Sequence, residues 1–223
     1  FLNETLALLD DGNFTFNSSG FVKNYNTNIY EKNVINDLQF NSDYKYFKNG
    51  LQKNYKILFK NANTNSQNSE KYKNTTDHTL GSLFQYDLSY PLKKDSDNYK
   101  EILSPITSLK ISPNKSKNNR NEDVRIDVDN IFSLNRIGTK DSVEGGTSLT
   151  YGLDYSRLNM TNEKILGAKL AAQSKLKEDK NISTNSSLGK KSSNIVGNLE
   201  FNPSNILNLK YNFSLDENLN DTN

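Results

Sequence analysis

Few residues of this chain could do chemistry, and their spacing argues against a reaction. His78 is the sole histidine and there is no cysteine. No Ser or carboxylate is arranged around His78 to build a nucleophile or a metal site, so it reads as a solvated loop residue. Glu122, Asp123, Asp127 and Asp129 are dense enough to consider for Ca²⁺, but the EF-hand spacing and its turn glycine are missing. Val124, Ile126 and Val128 alternate instead with Arg125 and Asp127, as a short hairpin arm would. Gly145-Gly146 is followed by no helix whose N-terminus could hold a phosphate, and reads as a turn entering a strand. The expectation is a non-enzymatic chain without cofactor or metal.

What must position these residues is strand. From Ser148, Leu149, Tyr151, Leu153 and Tyr155 alternate with Ser148, Thr150, Gly152, Asp154 and Ser156. A period of two puts the first set on one face and the second on the other. Similar alternation recurs in Val34–Tyr46, around Tyr55–Phe59, in Leu80–Tyr90, in Pro105–Ser112, in Leu166–Lys177, near Ile195–Phe201 and in Leu207–Asp216. Phe1–Leu9 and Asn13–Lys23 read as a hairpin around Asp10-Asp11-Gly12.

Composition narrows the class. Lys plus Arg number 28 against 26 Asp plus Glu, a net charge of +2. Those charges are scattered, so no nucleic-acid footprint is visible. The hydrophobic fraction is 33%, low enough to raise disorder, yet six or more two-faced strands do not arise in a disordered segment. No apolar run approaches the ~18 residues of a membrane helix. A membrane strand needs only every second residue to be apolar.

Loop parity separates a soluble sheet from a membrane barrel. Turns at 10–12, 47–52, 91–103, 159–163 and 203–204 fall on one side, and longer connections at 24–33, 62–79, 113–146 and 178–191 on the other. Barrels of the outer membrane alternate in this way. The expected fold is therefore all-β, an antiparallel up-and-down meander of about ten long strands, a fragment of a large outer-membrane barrel. Residues 1–223 are expected to be one truncated piece of that transmembrane domain. Leu149, Leu153, Tyr155, Leu207, Leu209, Tyr211 and Phe213, with Tyr151, are expected to face lipid, and Thr150, Asp154, Lys210 and Asn212 the lumen. An inward set of Asp154, Lys169, Lys175, Glu200, Lys210 and Asp216 mixes both signs, which suits a hydrated, plugged lumen. Residues 113–146 should form one extracellular connection folding over or into the barrel mouth. In it, Ile131, Phe132, Leu134 and Ile137 are too apolar to stay solvated.

The stretch 121–156 resembles the lipopolysaccharide-assembly outer-membrane protein family, LptD. The resemblance lies in Asn121-Glu122-Asp123, Asn130-Ile131-Phe132, Asn135-Arg136, Gly138, Asp141, Glu144, Gly146 and Tyr151-Gly152-Leu153-Asp154-Tyr155. Ser89–Leu92, Leu103–Pro105, Ser193–Gly197 and Phe213–Asp216 resemble further family segments in the same order. Ser142 and Ser214 stand where the family carries arginines, so no role of those arginines passes to this chain. The resemblance implies a very large barrel in the bacterial outer membrane. It works with a lipoprotein plug, LptE, and receives lipopolysaccharide from periplasmic bridge proteins through an N-terminal domain. The lipid then leaves between the first and last strands. Two other readings compete: another large barrel, a porin or plugged transporter, and a soluble β-meander binding module.

Overall fold

The computed structural model describes residues 2–9, 11–25, 28–122, 124–204, 206–216 and 218–220. Among the described residues twelve strands follow in chain order: β1 (Leu2–Leu9), β2 (Gly12–Tyr25), β3 (Ile29–Ser42), β4 (Lys45–Tyr46), β5 (Gln52–Gln67), β6 (Asp77–Ser89), β7 (Leu92–Asp95), β8 (Lys100–Ser112), β9 (Gly146–Leu158), β10 (Lys164–Lys175), β11 (Ile195–Ser204) and β12 (Leu207–Leu215). Ten of them form one open sheet in sequence order, while β4 pairs with β5 and β7 with β8. All strand pairs are antiparallel. The expected meander of about ten long strands is the observed fold.

Some boundaries differ from those expected. Residues 61–67, placed in a loop by their lack of an apolar period, continue β5 and pair with β3 and β6. His78 likewise belongs to β6, exposed, its Nδ1 2.6 Å from Asn63 Oδ1. Backbone ladders need no apolar side chains, so a strand polar on both faces leaves no alternation to read. The connection expected at 24–33 shrinks to the few residues between Tyr25 and Ile29, with Asn28 at φ 60°. The long turn expected at 91–103 is mostly β7 and the start of β8, turning at 96–99. Asp10 and Asn205 of two expected turns lie outside the described residues. The connection sides still alternate: 43–51, 90–99, 159–163 and 205–206 on one side, 68–76, 113–145 and 176–194 on the other.

Register sorts the side chains. Phe14, Phe40, Tyr55 and Phe84 pack in a row on one face, with successive ring centroids 4.8, 5.5 and 6.4 Å apart. That face continues through Leu109, Leu149, Tyr151, Leu153, Leu170, Leu199, Leu209 and Tyr211, all exposed. The opposite face is covered by the connections 113–145 and 176–194. There Val124, Ile126, Ile131, Ile137, Ile182 and Leu188 pack with Ala171 and Val196. Leu134 and Val143 pack with Leu58 and Leu83. A core on the polar face and bare apolar residues on the other invert the usual soluble arrangement.

Candidate functional site

Strand register alone builds half of the site. On the covered face Gln85 pairs with Lys110, Lys110 with Ser148, and Ser148 with Lys175, so two lysines flank one serine in a row across four strands. Two water-free ammonium groups need an anion. The connection 113–145 supplies it as Glu144, together with a third cation, Arg136.

The Arg136 guanidinium is fully buried and grips Glu144 with both forks, Nε to Oε2 at 2.7 Å and Nη2 to Oε1 at 2.5 Å. It also donates to Ser148 Oγ at 2.9 Å and Thr150 Oγ1 at 3.1 Å, which ties the connection to β9. Lys175 Nζ stands 3.1 Å from Glu144 Oε1, out of hydrogen-bond alignment. Lys110 Nζ lies 3.9 Å from Oε2 and donates to Ser133 O at 2.5 Å. One carboxylate thus faces a guanidinium and two lysine amines where water is excluded. A planar fork is suited to this, because it satisfies both carboxylate oxygens at once.

Burial pushes the Glu144 carboxyl up, but the charges of Arg136 and Lys110, the hydrogen bonds from Arg136 and the charge of Lys175 outweigh it. They hold the group well below the usual carboxylate range. A depressed folded value stabilises the docked connection above the unfolded value of about 4.3. That contribution disappears only as pH falls toward the folded value. Hydrogen exchange over 131–145, corrected for intrinsic rates, should therefore stay slow from neutrality to about pH 4 and rise below it. Loosening already between about pH 7 and 5 would contradict the assignment.

The remaining motif residues shape the same connection. Asn135 Nδ2 donates to Ser142 O at 2.8 Å and its Oδ1 accepts from Glu144 N at 3.1 Å, so one amide fixes the arm carrying Glu144. Gly138 and Gly146 have φ of 76° and 84°, the left-handed region that glycine adopts without strain. Phe132 lies against Gly152, where a Cβ would stand 3.1 Å from its Cζ. Asn130 and Asp127 close a turn, with Asn130 N donating to Asp127 Oδ1 at 2.7 Å and Asp127 N to Asn130 Oδ1 at 3.0 Å. The hairpin arm expected at 124–128 is absent among the described residues: this turn follows Val124 and Ile126, and both point into the core instead of pairing. Asp141 is buried, and Ser142 accepts from Asn119 Nδ2 at 3.1 Å. Glu122 pairs with Lys71 at 2.9 Å, Asn121 is exposed and Asp123 lies outside the described residues. Tyr151 sits on the opposite, bare face, so the motif divides between two surfaces.

The second connection braces the first. Asn119 N donates to Asn181 O at 2.7 Å, Arg120 Nε to Lys180 O at 2.6 Å and Asn181 Nδ2 to Ser116 O at 2.9 Å. Lys110 was not singled out by sequence reasoning. Its signal is the alternation of Ser108, Lys110 and Ser112 with Leu109 and Ile111, which places it on the covered face.

No carboxylate, histidine or cysteine cluster able to hold a metal occurs among the described residues. No helix there is long and apolar enough to cross a membrane, which leaves crossing by strands open. Of the mixed inward set, Lys169 pairs with Asp154 at 3.3 Å and Lys210 with Asp129 at 3.5 Å. The apolar residues 131, 132, 134 and 137 pack on the sheet itself.

A comparison with curated proteins finds no match. The family model for LptD, described as LPS transport system D, matches residues 37–223. That span runs from β3 to the end of the chain and includes the whole charge cluster. It favours the translocon over a porin, a plugged transporter or a soluble meander. The chain belongs to the LptD family, outer-membrane proteins that transport lipopolysaccharide into that membrane without enzymatic chemistry.

Proposed function

We propose that residues 1–223 form a stretch of barrel wall whose bare apolar face meets lipid and whose covered face lines the lumen. β2 joins this wall through unbroken pairing with β3, and β1 pairs with β2 across a register shift between Thr5 and Ala7. Leu149, Leu153, Tyr155, Leu207, Leu209, Tyr211 and Phe213 are the lipid-facing set. Leu149, Leu153, Leu207, Leu209 and Tyr211 are exposed. The connection 113–145 is an extracellular lid that closes the mouth while lipopolysaccharide leaves sideways, and it helps seat the lipoprotein plug LptE. Transfer from the periplasmic bridge proteins takes place in other parts of the full-length protein.

The observation carrying this reading is that the lid is pinned from within by Arg136 and Glu144, against Lys110 and Lys175 of the wall. A freely solvated loop would not place four charges in a dry site, because their desolvation costs several kcal/mol per ion unless paired. Replacing residues 114–145 of the full-length protein by a short linker should raise permeability to large polar antibiotics or weaken co-purification of LptE. Normal values of both would remove the lid reading. A cysteine at exposed Asn121 should be labelled from outside the cell, and labelling only from the periplasm would invert the sidedness.

A further inference from the structure

The wall contains a seam. β6 and β8 pair from Phe84↔Ile111 to Ser89↔Ile106, whereas β6 stays paired with β5 as far as Asp77. From Asp77 to Leu83, β6 therefore has no strand on its β8 side. Side chains stand in for one. Asn114 Oδ1 accepts from Ser82 N at 2.8 Å, Asn114 Nδ2 donates to Leu80 O at 3.2 Å, and Ser112 Oγ donates to Ser82 O at 2.8 Å. Behind the seam lies the lid, for a Cβ on Gly81 would stand 2.7 Å from Val143 Cγ2.

On the bare face the seam opens into a groove of about 360 Å³ lined by Phe16, Leu38, Phe59 and Leu80, with Asn61 and Asn114 at its polar part. Leu80 is 72% exposed. The groove sits on a chemical boundary. Along this face of β5, Tyr55, Ile57 and Phe59 give way to Asn61, Asn63 and Asn65 toward the long connections. That is the change expected where hydrocarbon meets the carbonyl layer of a leaflet. Asn61 Oδ1 accepts from Asn36 and Asn63, while its own Nδ2 has no acceptor among the described residues.

We propose that this groove binds an acyl chain of lipopolysaccharide as a lipid held on the outside of the wall. Phe16, Leu38, Phe59 and Leu80 take the methylene chain. Asn61 Nδ2 donates to the ester or amide carbonyl at its head, a bond worth most where water is scarce. The proposal rests on the reading that the bare face meets lipid and that the long connections point outward, since the groove then lies in the leaflet that carries lipopolysaccharide. Continuity with the apolar band makes a lipid the occupant, and the unbonded amide at the boundary calls for an acceptor.

The test uses the full-length protein in cells, with a photo-crosslinking residue at Leu80 and, as control, at Leu153 on open wall. Leu80 should yield several-fold more lipopolysaccharide adduct than Leu153. Leu38→Trp, which fills the groove, should bring the Leu80 yield down to the control. Should Leu38→Trp hinder assembly, Asn61→Leu keeps the test, and it too should lower the yield. Equal yields at both positions, or mainly phospholipid or protein adducts at Leu80, would overturn the proposal. Absence of lipid adducts at Leu153 as well as at Leu80 would instead overturn the lipid-facing reading beneath it.

Discussion

Glu144→Gln should loosen the docked connection, costing about 3–5 kcal/mol. It leaves Arg136, Lys110 and Lys175 buried around a neutral amide. The loss comes less from the missing attraction than from basic groups, Arg136 above all, left in a dry site without an anion. Arg136→Met should cost less, because Glu144 keeps both lysines within 3.9 Å. Combining Glu144→Gln with Lys175→Met should recover part of the loss, since it removes one uncompensated charge, so the two effects should be non-additive. Urea titration of the assembled full-length barrel, with protease cleavage of 121–130 as a second readout, measures all three. A Glu144→Gln barrel as stable and protected as wild type would show that the cluster does not pin the lid.

Leu209→Arg should reduce assembled barrel far more than Asn208→Arg. The pair isolates the solvent, because both positions lie on β12 and both are exposed, Leu209 at 53%. In water an arginine at either position would be nearly neutral. In a bilayer an arginine on the lipid side costs up to about 2–4 kcal/mol at the midplane and less toward the strand ends where Leu209 lies, while a lumen position tolerates it. The readout is the folded, heat-modifiable fraction in outer-membrane extracts. Equal yields for the two variants would mean that the bare face does not meet lipid.

Alternation of two made most of this fold readable in one dimension. A strand whose faces meet different media must write apolar and polar residues alternately, as Ser148–Ser156 and Leu207–Asp216 do. It stopped being readable where both faces carry mostly polar residues, even though Ala62, Thr64 and Ser66 are buried. Asn61–Gln67 and His78 take their places through backbone ladders, and backbone groups are the same in every residue. The motif residues Arg136, Glu144, Phe132 and Gly152 were also visible as a series along the chain. Their partners were not. Lys110 and Lys175 are far from Glu144 in sequence and adjacent to it only because register sets them on either side of Ser148. The sequence by itself determined most of the strands, the alternation of apolar and polar residues along them, and the family. The tertiary structure decided that the polar face is the one covered, that one carboxylate faces a guanidinium and two lysine amines there, and that β6 and β8 part above Phe84. Each of these depends on which strands stand side by side and in what register, and a one-residue slip would turn every such side chain to the other face.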